Sequence, residues 1–519
     1  MTTFYQQPGL SLPGLKSAKG VRYAQASSRM GITIYPQKDD LFSTRRTSSI
    51  DLDWRPKTTR GTVVSFNFQK TLGAPSANWN VAIKDTPPYT LDVARGDILP
   101  GDWADLYVIR NGVRLPVCRG MIDGVRESTK SVGGATVRMW GLTGRDHGGI
   151  MEYPLTYQSL WVRTMEEVVA GLMTQRVQSI GSNPSKMFSI LIKAALDRGT
   201  KASQFIMPPA LQNKSTDPLI IDGQRRLRRD MGILDLMTIN NATPTRGAYY
   251  NEQKLWNNPG EGIADTINNW CNPLMNETIF DLEYPTKYAG QAVIKAAMSA
   301  RIRERPFVLT DAGLEFSDTA FPGEKIGSGL NSPWFKLPVW TLPTWVLMSR
   351  DLGRNNHSRF NLIELLADVG FLTQNEQAPM SPPRWYMDSI KYHGLKPMQQ
   401  TTIYVNEGGT GQAGWSARRK TWQQVLVDWH CMNPYFRDGT IAVKLPLPEV
   451  RVGQRLRLDN GVKGQQETFY VEGINLNGTV SAGNPSWHTT VSLTRGHKGD
   501  DRALLKDITK VAGKYKARF

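Results

Sequence analysis

Gly409-Thr410-Gly411-Gln412-Ala413-Gly414 has the G-x-G-x-x-G spacing of a loop that holds a pyrophosphate. Glycines there permit close backbone approach, and the amides opening a following helix favour phosphate. The surroundings do not carry that chemistry. No alternating strand–helix series flanks the loop. No acidic residue ends a strand about twenty positions on to hold a ribose; the next candidate strand, Thr440-Ile441-Ala442-Val443, runs into Lys444. The stretch reads as a flexible loop, and no cofactor is expected. The six histidines are His147, His357, His393, His430, His488 and His497, and none forms an H-x-x-x-H or H-E-x-x-H pair, so zinc chemistry has no support. His430 and Cys431 are adjacent, but neighbours cannot both aim at one metal without further ligands. No G-x-S-x-G elbow or phosphate-gripping G-x-x-x-x-G-K-[ST] occurs. Carboxylates are plentiful, yet nothing singles out a pair for glycoside cleavage. No catalytic or metal-binding residue is therefore expected.

Charge points toward partners instead. The net charge is +17, which favours acidic surfaces, nucleic acid or anionic membranes. It is densest at Arg225, Arg226, Arg228 and Arg229, and in a tail carrying Lys506, Lys510, Lys514, Lys516 and Arg518. No recognised nucleic-acid-binding motif accompanies it, so solvated faces or contacts with an acidic protein are the readings. The three cysteines, Cys118, Cys271 and Cys431, form no C-x-x-C pair, which suits a reducing compartment. No stretch reaches the ~18–20 apolar residues of a membrane span, and the N-terminus lacks the pattern of a signal peptide.

One irregular pattern occurs twice, and it sets the elements that must position any surface. The first copy runs from Gly101-Asp102-Trp103 through Leu106-Tyr107-Val108-Ile109 to Asn111-Gly112. It continues as Val117-Cys118-Arg119-Gly120-Met121-Ile122 and ends Thr136-Val137-Arg138-Met139-Trp140-Gly141. The second runs from Gly453 through Leu456-Arg457-Leu458 to Asn460-Gly461, then Phe469-Tyr470-Val471-Glu472-Gly473-Ile474, and ends Thr490-Val491-Ser492-Leu493-Thr494-Arg495-Gly496. Asn-Gly between alternating apolar residues predicts a hairpin. A chain with one β-unit twice can present two similar surfaces to one partner, which points to assembly rather than catalysis.

Further strands are predicted at Ile32–Ile34, Val63–Phe68, Trp79–Ile83, Ile279–Glu283, Ile302–Phe307, Val346–Leu366 and Ile403–Val405. Helices are predicted near 164–173, where Thr164-Met165-Glu166-Glu167 fits a capping box, near 187–194, from Ile263 to about Pro273, and over Trp415–His430. Between 320 and 345, four prolines alternate with Trp334, Trp340 and Trp345. Prolines break regular elements while the indoles need cover, so this is a covered loop or an inter-subunit contact.

Gly101–Tyr107, Cys118–Val125 and Gly141–Asp146 resemble the first barrel of phage baseplate hub proteins. That tail-hub family includes the late control protein D group and the base of type VI secretion spike proteins. Arg303–Phe307 is similar to the strand entering the family's second barrel. Val450–Leu456, Tyr470–Gly473 and Ser492–Gly496 are similar to that barrel's closing strands. The resemblance covers about residues 30–150 and 270–497 and leaves 155–260 and 320–345 unmatched.

It implies an α+β, mainly β fold: two tail-tube-like β-barrel domains with helical and loop-rich insertions. The expected order is an extended arm (1–28), a first barrel (29–152), a helical and loop-rich domain (153–270), a second barrel (271–500) with an inserted α/β subdomain at about 320–440, and a basic tail (501–519). The implied function is structural: a homotrimer forming a pseudo-sixfold ring that adapts a hexameric tail tube to a trimeric central spike in a contractile or related tail. Tail tube and central spike proteins are the implied partners, with tape measure and baseplate wedge proteins as further candidates. Direct membrane or nucleic-acid contact is not implied. The place would be the virion baseplate, assembled in host cytoplasm. Interface candidates are Arg225, Arg226, Arg228, Arg229, Asn111, Gly112, Asn460, Gly461, Trp334 and Trp340. Two other classes stay open, a tail-associated cell-wall hydrolase and a basic nucleic-acid-binding protein.

Overall fold

The computed structural model describes residues 10–11, 28–36, 49–54, 62–84, 97–132, 135–152, 238–240, 264–265, 267, 276–284, 293–294, 296–306, 334, 337–355, 357, 359–367, 384–402, 426, 430, 435–462, 464–481 and 484–499. A two-residue strand, β1 (Leu10–Ser11), precedes the first unit: β2 (Arg29–Tyr35), β3 (Ile50–Asp53), β4 (Thr62–Thr71), β5 (Asn78–Lys84), β6 (Trp103–Arg110), β7 (Val113–Val132) and β8 (Ala135–Asp146). Period-two alternation makes these strands. In β5, Trp79, Val81 and Ile83 are buried while Asn78 and Asn80 face out. The spatial order is β4-β5-β8-β7-β6-β2-β3. The Thr62 hydroxyl donates to the Asp53 carbonyl at 3.2 Å, so β3 meets β4 and the sheet curls round its core.

Three strands, β9 (Thr238–Asn240), β10 (Asn276–Glu283) and β11 (Ala297–Glu304), form a separate sheet. The second unit contains β12 (Val339–Pro343) and β13 (Leu347–Gly353). A small sheet of β14 (Leu362–Ala367), β15 (Arg384–Trp385) and β16 (Pro397–Thr402), with helix α1 (Met387–His393), is inserted after them. The unit resumes with β17 (Arg437–Val443), β18 (Arg455–Asp459), β19 (Glu467–Ser481) and β20 (Asn484–Lys498). Its order is β12-β18-β19-β20-β17-β13, and β1 adds in parallel to β12.

The predicted strands at Ile32, Val63, Trp79, Ile279 and Ile302 are present. Val346–Leu366 splits into β13 and β14, and Ile403–Val405 lies outside the described residues. Ala264, Asp265, Ile267, Leu426 and His430 are helical, inside two predicted helices; the helices expected at 164–173 and 187–194 lie outside the described residues. Two placements differ from expectation. β12 and β13 fall within the 320–440 stretch expected as an insertion, yet β12 pairs with β18 from Val339↔Arg455 to Pro343↔Asp459 and belongs to the second unit's own sheet. β11, which carries Arg303, pairs with β10 and β9 rather than entering that sheet.

The duplication holds to the level of hydrogen-bond register. β7 and β8 skip a residue at Asp123, and β19 and β20 skip one at Glu472. Such an extra residue is a β-bulge, which bends the strand and raises its twist. Beyond it, both hairpins run nine pairs to the tip, Gly124↔Thr143 to Val132↔Ala135 and Gly473↔Ser492 to Ser481↔Asn484. Equivalent residues on both strands are thus 349 positions apart. Gly101 and Gly453, at φ 90° and 75°, open the match. Their amides donate to Ile122 at 2.7 Å and to Val471 at 2.9 Å. It extends to strands whose repetition was not recognised from sequence. Val81-Ala82-Ile83-Lys84 stands where Ile441-Ala442-Val443-Lys444 stands, and β4 and β13 each skip one residue against these partners, at Val64 and Met348.

At Asn111-Gly112 the chain reverses in two residues with φ 53° and 77°, a type I′ turn whose twist suits the flanking strands. Asn460-Gly461 opens a wider connection over 460–466, with Leu458 paired to Glu467. There the Asp459 carboxylate accepts from the Gly461 amide at 2.8 Å, and the Asn460 side chain accepts from the Val462 amide at 3.0 Å. The second hairpin is real, but its Asn-Gly pair is not a tight turn. Asn111→Ala should lower the unfolding free energy by about 1 kcal/mol, since alanine tolerates the left-handed region poorly. Asn460→Ala, which loses two exposed hydrogen bonds, to Val462 and Gln465, should cost less than half of that; urea denaturation of the two variants compares them.

Candidate assembly surface

The two units meet edge to edge. The first half of β19 pairs with β18, and its second half pairs with β4, from Gly473↔Thr71 to Thr479↔Ser65. One sheet thus runs through both units, and a single apolar core takes Phe66, Phe68, Val81 and Leu142 from one and Val443, Leu456, Ile474 and Val491 from the other. Across the seam, the Asn67 side-chain amide donates to Asn475 Oδ1 at 3.2 Å.

Buried charge stitches the joint. The connection Lys444–Val452 passes under the first unit with Leu445, Leu447, Val450 and Val452 in the core. It carries two ionised groups inward. Arg451, 1% exposed, donates to the Val117 carbonyl at 2.7 Å and the Pro116 carbonyl at 3.1 Å, and pairs with Asp281 of β10 at 3.2 Å. Glu449 receives Arg110, which also donates to the Pro446 carbonyl at 2.8 Å. The three-stranded sheet is tied in by Arg303, which donates to Glu277 at 2.6 Å, to Tyr470 at 3.1 Å and to the Gly453 carbonyl. Burial and the Glu277 carboxylate push the Tyr470 hydroxyl far above its ordinary range, so it remains a donor to Glu277 at 2.7 Å. These groups join the two units to each other and to the three-stranded sheet, and sequence reasoning gave none of them this role. The available signal was Leu445-Pro446-Leu447-Pro448-Glu449-Val450-Arg451, where charges interrupt an apolar, proline-bound run.

The residues singled out from sequence do not form one site. Asn111-Gly112 and Asn460-Gly461 sit at separate turns, and Arg225, Arg226, Arg228 and Arg229 lie outside the described residues, as do the basic tail and Gly409–Gly414. Trp334 and Trp340 are buried within the chain, at 1% and 2% exposure, so they offer no surface to another subunit. The Trp340 indole N–H donates to Gln454 at 2.8 Å, and Arg455 lies 5.6 Å above the Trp334 ring. The exposed indole of that stretch is Trp345, at 51%. Among the described residues, no three His, Cys, Asp or Glu side chains gather as a metal site.

No protein-family model and no curated protein matches the chain. It is similar to a tail protein from Neisseria meningitidis, with 12% identity over 90% of this chain and 96% of that one and a TM-score of 0.42. It is similar to a 43 kDa tail protein of a Shewanella oneidensis prophage, with 10% identity over 90% and 98% and a TM-score of 0.38. It is also similar to an E. coli component of the type VI secretion system, with 8% identity over 86% and 78% and a TM-score of 0.35. Two of these are tail proteins and the third a secretion-system component, and the likeness is one of fold alone. The mainly β class read from the sequence is borne out by the described strands themselves.

Removing Arg451 would leave Asp281 charged and buried. Arg451→Met should therefore destabilise the chain by about 3–5 kcal/mol, and Asp281→Leu in the same chain should recover most of that loss. Urea midpoints of the three proteins test the coupling. Acid should loosen the fold through two imidazoles. Burial lowers the His147 pKa, and burial with Arg495 and Arg305 lowers His430 from 6.5 to about 4. The unfolded chain protonates both near 6.5, so it binds more protons below that pH, and stability falls as pH drops from 6.5 toward 4. His430 alone should contribute a loss of up to roughly 3 kcal/mol, and His430→Gln should flatten the urea midpoint over that window.

Proposed function

We propose that this chain is a structural baseplate hub protein of a tailed phage. Three copies form a pseudo-sixfold ring that seats the hexameric tail tube on one face and the trimeric central spike on the other. The observation that carries this reading is the duplicated unit. The copies share bulge positions and hairpin length, and they join through strand edges within one chain. A heterologous contact repeats one patch around an axis. Three chains with two such units each would therefore offer six similar surfaces to a sixfold partner while keeping threefold symmetry for the other.

The role is structural, not catalytic. Glu277, Asp281 and Glu449, the carboxylates at the joint, are each engaged by an arginine. Tail tube and spike proteins are the partners, with tape measure and wedge proteins as further contacts, and the place of action is the virion baseplate after assembly in the host cytoplasm.

Light scattering of the purified chain should give three times 58.1 kDa, about 174 kDa. Negative-stain images should show a ring with six lobes. A monomer at every concentration that also clears peptidoglycan on a zymogram would replace this reading with the hydrolase.

A further inference from the structure

The joint inside the chain is made by two strand edges, β19 and β4. Each has an equivalent in the other unit, and among the described residues those equivalents have no strand partner on the matching edge. β7 from Gly124 to Lys130 corresponds to β19 from Gly473 to Thr479, and beyond Ile122 it pairs only with β8. β13 corresponds to β4, with Ser349, Asp351 and Leu352 in the places of Ser65, Asn67 and Phe68, and it pairs only with β17. The surfaces differ as covered and uncovered copies should. Phe66 and Phe68 of β4 are fully buried, whereas Ser349, Arg350 and Asp351 of β13 are exposed, as are Arg126, Glu127, Ser128 and Thr129 of β7. Met348, at 54%, and Trp345, at 51%, leave apolar surface beside the β13 edge.

We propose that the β7 edge of one chain pairs with the β13 edge of a second copy of this chain, repeating the β19–β4 joint in the same antiparallel register. This deepens, and rests on, the ring reading above. Carrying the internal register across places Arg126 opposite Gly353, Ser128 opposite Asp351 and Lys130 opposite Ser349. The side chains are complementary in that register. Asn475 and Asn67 bond diagonally across the internal joint. Their equivalents are Arg126 and Asp351, so an amide contact inside the chain becomes an ion pair between chains. An exposed strand edge is a template for pairing with another chain, and each copy supplies one edge of each kind, so the contact is head to tail and repeats.

Sedimentation velocity of the full-length chain, of Arg126→Asp, of Asp351→Arg and of the double variant tests this. Both single variants place like charges across the contact and should weaken self-association at least tenfold. The double variant reverses the pair and should recover it. Unchanged thermal unfolding of the dilute proteins would show that all are folded. In the unaltered chain, hydrogen exchange should slow at amides 124–130 and 347–353 when the chain associates. If it forms trimers that both single variants match, with no protection on these strands, the edge assignment is wrong and the ring reading survives. If it never self-associates, the edge assignment and the ring reading are both overturned.

Discussion

Arg451 is a guanidinium that cannot be deprotonated and has been taken out of water. A buried charge of this kind costs several kcal/mol unless it is paired and hydrogen-bonded, and both terminal nitrogens of Arg451 are. That requirement dictates its neighbours: the Pro116 and Val117 carbonyls must face inward from β7, and Asp281 must stand at that point of β10. Those residues belong to the first unit and to the three-stranded sheet, while Arg451 belongs to the second unit. Arg110 with Glu449 and Arg303 with Glu277 repeat the device on either side. Apolar burial supplies the larger share of stabilisation but has no direction. The ionic contacts allow few relative placements, because sliding one unit along the other would strand a charge in the core.

The main chain imposes a second constraint of the same kind. A one-residue slip in a ladder turns every side chain to the opposite face. The bulges at Asp123 and Glu472, and at Val64 and Met348, fall at equivalent points of the two units. They set where each strand bends and therefore which stretch of edge faces outward. The second unit departs from the first at its rim, where β12 runs parallel to β18 while β2 runs antiparallel to β6.

Much of this was legible in the sequence, unevenly. Asn111-Gly112 announced its hairpin because a two-residue turn needs residues that accept positive φ. Asn460-Gly461 announced a hairpin too, but the same dipeptide serves a longer loop, and turn chemistry alone does not separate the two. The repeat was visible in its third strand at the wrong register. Thr136 stands against Thr490 in that reading, whereas the pairing places Gly141 there, and the second strand is shifted as well, since Met121 rather than Cys118 takes the place of Tyr470. Similar residue types recur every second position along a strand, so several alignments look alike until partners are known. Equivalence of β4 with β13 was hidden because β4 and β5 are separated by a short turn while the small sheet with α1 is inserted between β13 and β17. The buried arginines were unreadable for a different reason. An arginine among prolines and leucines looks the same in sequence whether its charge reaches water or a carbonyl.

The β19–β4 joint has a property that follows from its being within one polypeptide. Its partners are held at an effective concentration on the order of millimolar or more by their connection, so dilution does not undo it. It forms as the chain folds, in a first-order step indifferent to how many other chains are present. Any contact between chains is second-order by comparison and waits on supply. A chain built this way has that joint closed once it is folded, and abundance would govern only contacts with other chains.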